Sequence, residues 1–115
     1  MLLGGDGNDY LSGGSGNDTI YGDNDNDKID GGDGNDSLNA GKGNDTVDGG
    51  AGDDSIYAGE GWDTVYGGIG NARFWAVVDL MICTAARATI ISKAAVIWTI
   101  SIAMRAMIHL WVALA

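Results

Sequence analysis

Gly31-Gly32-Asp33-Gly34-Asn35-Asp36-Ser37-Leu38-Asn39 is one unit of a nine-residue period that decides the fold of this chain. Its glycine-rich half stands upstream as Gly4-Gly5-Asp6-Gly7-Asn8-Asp9 and Gly13-Gly14-Ser15-Gly16-Asn17-Asp18. The closing aspartate recurs as Asp9, Asp18, Asp27, Asp36, Asp45, Asp54 and Asp63. Two residues after each comes an aliphatic side chain: Leu11, Ile20, Ile29, Leu38, Val47, Ile56 or Val65. The unit is therefore G-G-x-G-x-D-x-U-x, with U apolar. A low-complexity linker would share the composition, but it has no reason to place an aliphatic residue at every ninth position.

The pattern joins a turn to a strand. Glycine visits positive φ without a Cβ penalty, so a hexapeptide rich in it turns tightly and its carbonyls converge. The three residues that follow form a short strand whose central side chain points inward, because side chains alternate across a strand. A convergent set of carbonyls beside a carboxylate suits calcium, a hard cation that takes six to eight oxygens.

Several repeats depart from the pattern. The third reads Gly22-Asp23-Asn24-Asp25-Asn26-Asp27, and Asp tolerates the left-handed region better than most residues, so the turn is expected to survive with added charge. The fifth and seventh begin with Ala40 and Ala58, a mild change, and Trp62 replaces a small polar residue. In the eighth, Gly67-Gly68-Ile69-Gly70-Asn71-Ala72, the carboxylate is gone, so the last site on that edge is expected to be weak or absent. The row Asp23, Asp25, Asp27 also invites an EF-hand reading, which fails because Lys28 and Gly34 stand where that loop needs Gly and a carboxylate.

These seven concordant repeats resemble the repeats-in-toxin (RTX), or hemolysin-type calcium-binding, family, whose signature is this nonapeptide. The resemblance covers residues 1–71 and implies an all-β fold, a parallel β-roll or β-helix solenoid, in which two repeats make one turn. It implies that each ion sits between loops of one side in successive turns. Asp9, Asp27, Asp45 and Asp63 would stack on one edge, and Asp18, Asp36 and Asp54 on the other. Backbone ligands would come from the second and fourth loop positions: Gly5, Gly7, Gly14, Gly16, Asp23, Asp25, Gly32, Gly34, Gly41, Gly43, Gly50, Gly52, Gly59 and Gly61. Pairing neighbours gives three ions on the first edge and two on the second, about five in all. The resemblance also implies Ca2+ as the cofactor and secretion by type I export.

Calcium is expected to be required for folding. A single row of apolar side chains per sheet is a small core, and glycine-rich backbone is costly to order. Residues 1–72 carry fifteen acidic residues against Lys28 and Lys42, and their mutual repulsion opposes compaction. Without metal the segment is expected to be disordered. Ions that bind only the folded form stabilise it and bring counter-charge, cooperatively, because neighbouring sites share loops.

Residues 72–115 have another composition. All twenty glycines lie at or before Gly70, and the remainder is rich in Ala, Ile, Val, Met and Trp. The longest uncharged stretch, Ala94 to Met104, has eleven residues, whereas a membrane span needs about 20. Asp79, Arg87, Lys93 and Arg105 fall within about one third of a helical wheel, so an interfacial amphipathic helix is one reading. The genetic code supplies another. Met and Trp each have one codon, ending in G, and that G fixes a shifted-frame codon with the residue that follows. Trp75-Ala76 and Trp111-Val112 then conceal Gly, and Met81-Ile82, Trp98-Thr99 and Met107-Ile108 conceal Asp. The concealed glycines are thirty-six residues apart, and the last two concealed aspartates nine apart. On this reading the tail is a frameshifted translation of further repeats, non-native, apolar and at most a makeshift helix without function.

Composition sets the remaining bounds. The 115 residues have room for one domain, and a net charge of −10 with no basic stripe in the repeats argues against nucleic acid. Cys83 is the single cysteine, so neither a disulfide nor a cysteine metal cluster is available, and His109 has no catalytic partner in the sequence. The repeats pair no nucleophile with a base, so no enzymatic activity is expected. Met1-Leu2-Leu3 reads as the end of a repeat with Leu2 at the U position. Calcium is the expected partner, with end-to-end association of uncapped rolls. Competing roles are an adhesive or surface-layer module, or a remnant of a larger exported toxin, protease or lipase.

Overall fold

The computed structural model describes the backbone of residues 1–78, 81–92, 98–102 and 108–112, and the side chains of residues 1–73. Every regular element among them is a strand. In chain order these are β1 (Leu2–Gly5), β2 (Tyr10–Ser12), β3 (Thr19–Asn24), β4 (Lys28–Asp30), β5 (Ser37–Lys42), β6 (Thr46–Asp48) and β7 (Ser55–Glu60). Then follow β8 (Asp63–Val78), β9 (Met81–Ser92), β10 (Trp98–Ile102) and β11 (Ile108–Val112).

The chain winds as a parallel β-solenoid of about four turns. Odd and even strands separate, in the order β1-β3-β5-β7-β8-β6-β4-β2, so β8 joins two parallel walls. Leu2 pairs with Ile20, Ile20 with Leu38 and Leu38 with Ile56 on one wall. Leu11 pairs with Ile29, Ile29 with Val47 and Val47 with Val65 on the other. Every step is two repeats, as expected of one turn per pair.

The U residues form the core. Ile20, Ile29, Leu38, Val47, Ile56 and Val65 are at most 1 % exposed, each removing an aliphatic side chain from water at about 1.5–3 kcal/mol. Leu2 and Leu11 in the first coil are partly buried against this column. Ala40 and Ala58 at the first loop position, and Ala72 in the place of the eighth repeat's aspartate, complete it, so the first loop position faces inward as well as the eighth. That makes Ala40 and Ala58 core residues rather than turn variants.

The turns need the conformations that glycine allows. Gly32 has φ +94° and Gly34 φ +127°, and a Cβ on either would collide with the carbonyl of Gly14 or Gly16 in the coil before. Asp23 and Asp25 take the same left-handed conformation, with φ 78° and 75°, so the third turn survives its substitutions.

The tail departs from the expected helix. β9 adds in parallel to β8, and β10 and β11 add in parallel to β9, because each open backbone edge gives an apolar segment partners that an isolated helix lacks. The winding loses its step, however. Asp63 pairs with Met81, eighteen residues on, but Phe74 pairs with Ile90 and Trp98 with Met81, sixteen and seventeen apart, and Ile108 pairs with Ala88, twenty apart. Of the charged residues behind the amphipathic reading, Arg87 lies in β9, while Asp79, Lys93 and Arg105 fall outside the described residues, as do the side chains of Cys83 and His109. Among the described residues no helix is long and apolar enough to cross a membrane.

Candidate metal centre

Each repeat turns through its glycines and delivers the sixth-position aspartate to the interior, just before the strand begins. Asp27, Asp36, Asp45, Asp54 and Asp63 are all at most 3 % exposed. A row of buried carboxylates runs along each edge of the roll, in the two stacks that the family resemblance implies.

One oxygen of each carboxylate has a fixed role. The Asp9 amide donates to Asp27 Oδ1 at 2.8 Å, the Asp27 amide to Asp45 Oδ1 at 2.8 Å, and the Asp45 amide to Asp63 Oδ1 at 2.9 Å. On the other edge the Asp18 amide donates to Asp36 Oδ1 at 2.8 Å and the Asp36 amide to Asp54 Oδ1 at 2.9 Å. Each aspartate thus reaches back to the coil before it, which holds the rows in register.

The second oxygen is left over. Oδ2 of Asp9, Asp18, Asp27, Asp36, Asp45 and Asp54 is buried and accepts no hydrogen bond. A buried carboxylate oxygen without a partner is costly, and six in two rows call for a shared cause. Burial also pushes the Asp45 and Asp54 carboxyls up to about 6, against the hydrogen bonds from the Asp27 and Asp36 amides, with neighbouring aspartates adding repulsion. Asp27 is raised too, by burial first and then by the charges of Asp9, Asp25 and Asp23. Lys28 lies over the Tyr10 ring, 5.5 Å from its centre, on the outer face rather than beside the rows.

Backbone oxygens stand close to these orphaned atoms. A Cβ built on Gly22 would lie 2.5 Å from Asp27 Oδ2 and 2.5 Å from the Ala40 carbonyl oxygen. One on Gly31 would lie 2.6 Å from Asp36 Oδ2 and 2.6 Å from the Gly49 carbonyl. The first loop position therefore borders the carboxylate row and contributes a carbonyl from the next coil. Spacing alone did not assign these first-position residues to the site, because the inward direction of that position depends on how the turn closes.

A divalent hard cation fits this donor set: desolvated anionic oxygens, backbone carbonyls within reach and, among the described residues, no cationic side chain bonded to the orphaned Oδ2 atoms. Among the described residues no three Asp, Glu, His or Cys side chains converge on one point. That is as expected where each carboxylate pair is one coil apart and the other ligands are main-chain oxygens.

The remaining sequence-derived candidates separate by position. The glycines at the second and fourth places lie at the turns, with Gly14, Gly32 and Gly50 carbonyls accepting the amides of Asp33, Ala51 and Ile69. Asp23 and Asp25 are exposed, and Asp25 Oδ2 accepts the Gly7 amide at 3.0 Å. Their side chains do not join the buried row, so only their carbonyls face the role that glycine has elsewhere. Position five carries a second ladder of opposite sense: the amides of Asn26, Asn35 and Asn44 donate to the Oδ1 of Asn8, Asn17 and Asn26 in the preceding coil. Asp53, Trp62 and Asn71 continue it onto Asn35, Asn44 and Asp53. The recurring Asn-Asp dipeptide is the only sequence signal for this ladder.

A family model described as the RTX calcium-binding nonapeptide repeat, in four copies, matches residues 3–38 and again residues 39–73. No curated protein and no solved structure matches the chain.

Proposed function

The chain belongs to the RTX calcium-binding nonapeptide repeat family, and on that premise we propose that calcium seated between successive coils drives residues 1–71 to fold outside the cell. The repeats bind calcium, and the repeat domain is a structural module rather than a catalytic one. The observation that carries the folding role is the set of six buried Oδ2 atoms that accept no hydrogen bond. Bringing these carboxylates together without a cation leaves buried charge unpaired, whereas a divalent ion between neighbours offsets it.

The proposed pairs are Asp9 with Asp27, Asp27 with Asp45, and Asp45 with Asp63 on one edge, and Asp18 with Asp36 and Asp36 with Asp54 on the other. Carbonyls of the turn glycines, of Asp23 and Asp25, and of the first loop positions complete the ligands. Calcium supplies positive charge and a demand for six to eight oxygens; the chain supplies the spacing. Because Asp27, Asp36 and Asp45 each serve two pairs, occupancy of one site orders the next. Export fits this design, because extracellular calcium modules work at about 0.1–1 mM, where a chain unfolded inside the cell would fold on release.

Equilibrium dialysis of the full chain against calcium tests the reading. Binding of about five ions per chain, the number of carboxylate pairs bridged coil to coil, is expected at millimolar calcium and not with equal magnesium, which demands octahedral geometry and dehydrates reluctantly. One ion or none bound per chain would overturn it.

A further inference from the structure

The two outer faces of the roll differ in a way that metal binding does not explain. On the wall built from β2, β4, β6 and the start of β8, the outward residues include Lys28, Asp30 and Asp48. On the wall built from β3, β5 and β7 the outward positions flanking each core residue are Thr19 and Tyr21, Ser37 and Asn39, and Ser55 and Tyr57. None of these six is charged, in a chain of net charge −10. Register stacks them into two straight rows, Thr19-Ser37-Ser55 and Tyr21-Asn39-Tyr57, the first continuing onto exposed Arg73 of β8 and the second preceded by Leu3 of β1. Burial alternates along each strand, with Ile20, Leu38 and Ile56 inside and these residues outside.

We propose that this face binds a neutral, extended β-linked polysaccharide, with Tyr21 and Tyr57 as stacking platforms and Asn39 and the hydroxyl row as its hydrogen-bonding partners. Neighbouring strands are about 4.8 Å apart, so two tyrosines two rungs apart stand about 9.6 Å from each other, close to the advance of two sugars in an extended pyranose chain. A pyranose ring presents an apolar C–H face that lies on an aromatic ring, and hydroxyls at its rim that pair with amides and alcohols. Asn39, at the middle rung, lines a shallow depression together with Asp6, Asp23, Asn24 and Lys42, whose polar groups suit such hydroxyls. Between Arg73 at one end and Asp23 and Lys42 at the margin, the three-strand stretch carries no charge, and on a strongly acidic chain that selects the ligand: an anionic polymer would be repelled by the turns, and a cationic one would settle on them instead. The face requires the folded roll, so the inference rests on calcium-dependent folding.

Native affinity electrophoresis of the full chain in calcium, through gels containing hydroxyethylcellulose, tests it, with circular dichroism of the same samples. Retardation is expected, weakened about tenfold by Tyr57→Ala or Tyr21→Ala. It should be retained by Tyr57→Phe, which keeps the ring, and by Tyr10→Ala on the opposite wall. A normal β signal without retardation overturns the glycan face alone, as does retardation indifferent to both tyrosines or lost equally with Tyr10→Ala. Absence of a calcium-dependent β signal overturns the folding reading, and with it the face that needs the roll.

Discussion

Asp45 concentrates the chemistry of one edge in a single carboxylate. It is 1 % exposed, its Oδ1 accepts the Asp27 amide, and its Oδ2 accepts nothing. Asp45→Asn keeps the shape and the acceptor but removes the charge that two pairs share. Dialysis of that variant should find about three ions where the parent holds about five, since the Asp27 and Asp63 pairings are both lost. The same change should raise the β signal in a chelator, because the buried charge opposing the metal-free roll is gone; a merely structural role for Asp45 would lower it. Protons act on the same balance. Burial raises Asp45 and Asp54 from 3.8 to about 6 in the folded state. Each therefore favours the metal-free roll fully below its unfolded value, and this contribution is lost as pH rises through about 6. Metal-free chain should gain β signal between pH 6 and pH 4 by circular dichroism, while the calcium midpoint moves to higher concentration, because protons compete for the ligands.

The strands and turns show what a period conveys and what it hides. The inward U column was legible in the spacing of the aliphatic residues, whereas the eighteen-residue register and both carboxylate rows were legible only through the family resemblance, because a nine-residue spacing does not by itself say how many repeats close one turn. The inward turn of position one was not, since Gly4, Gly13 and Gly22 have no side chain to betray burial; Ala40 and Ala58 were the available hint. The opposed Asn and Asp ladders were not legible either, because adjacent residues in a turn reach opposite ways only once the coils stack. Asn44→Ala removes the acceptor of the Trp62 amide at 3.0 Å, and should cost about 0.5–1.5 kcal/mol in calcium-loaded thermal unfolding, the usual worth of one hydrogen bond. The tail is where element-level reasoning misled. Its composition allowed a helix, yet β9 adds as a strand on β8 and β10 and β11 as strands on β9, because each open edge supplies backbone partners. Their pairing steps of sixteen, seventeen and twenty residues are those of a segment without a nonapeptide pattern of its own. We propose that this segment is a frameshifted translation of further repeats. Sequencing the encoding DNA should reveal Gly-Gly-x-Gly-x-Asp codons in the shifted frame beyond codon 75, and codons incompatible with them would end the idea.

At the scale of the whole molecule, the roll balances a thin apolar column against two rows of buried negative charge. The column alone is a narrow core for a glycine-rich chain, and the carboxylate rows oppose its formation until cations arrive. On the proposed reading, folding is thereby tied to the concentration of one ion, and every outward surface, the tyrosine wall included, depends on that ion. Far-ultraviolet circular dichroism of the full chain during a calcium titration, with magnesium as the control ion, tests this dependence most directly. The account predicts a cooperative gain of β signal near about 1 mM calcium, reversed by chelator and absent with magnesium. An equally strong β signal in chelator at neutral pH, or a flat response to calcium, would contradict it.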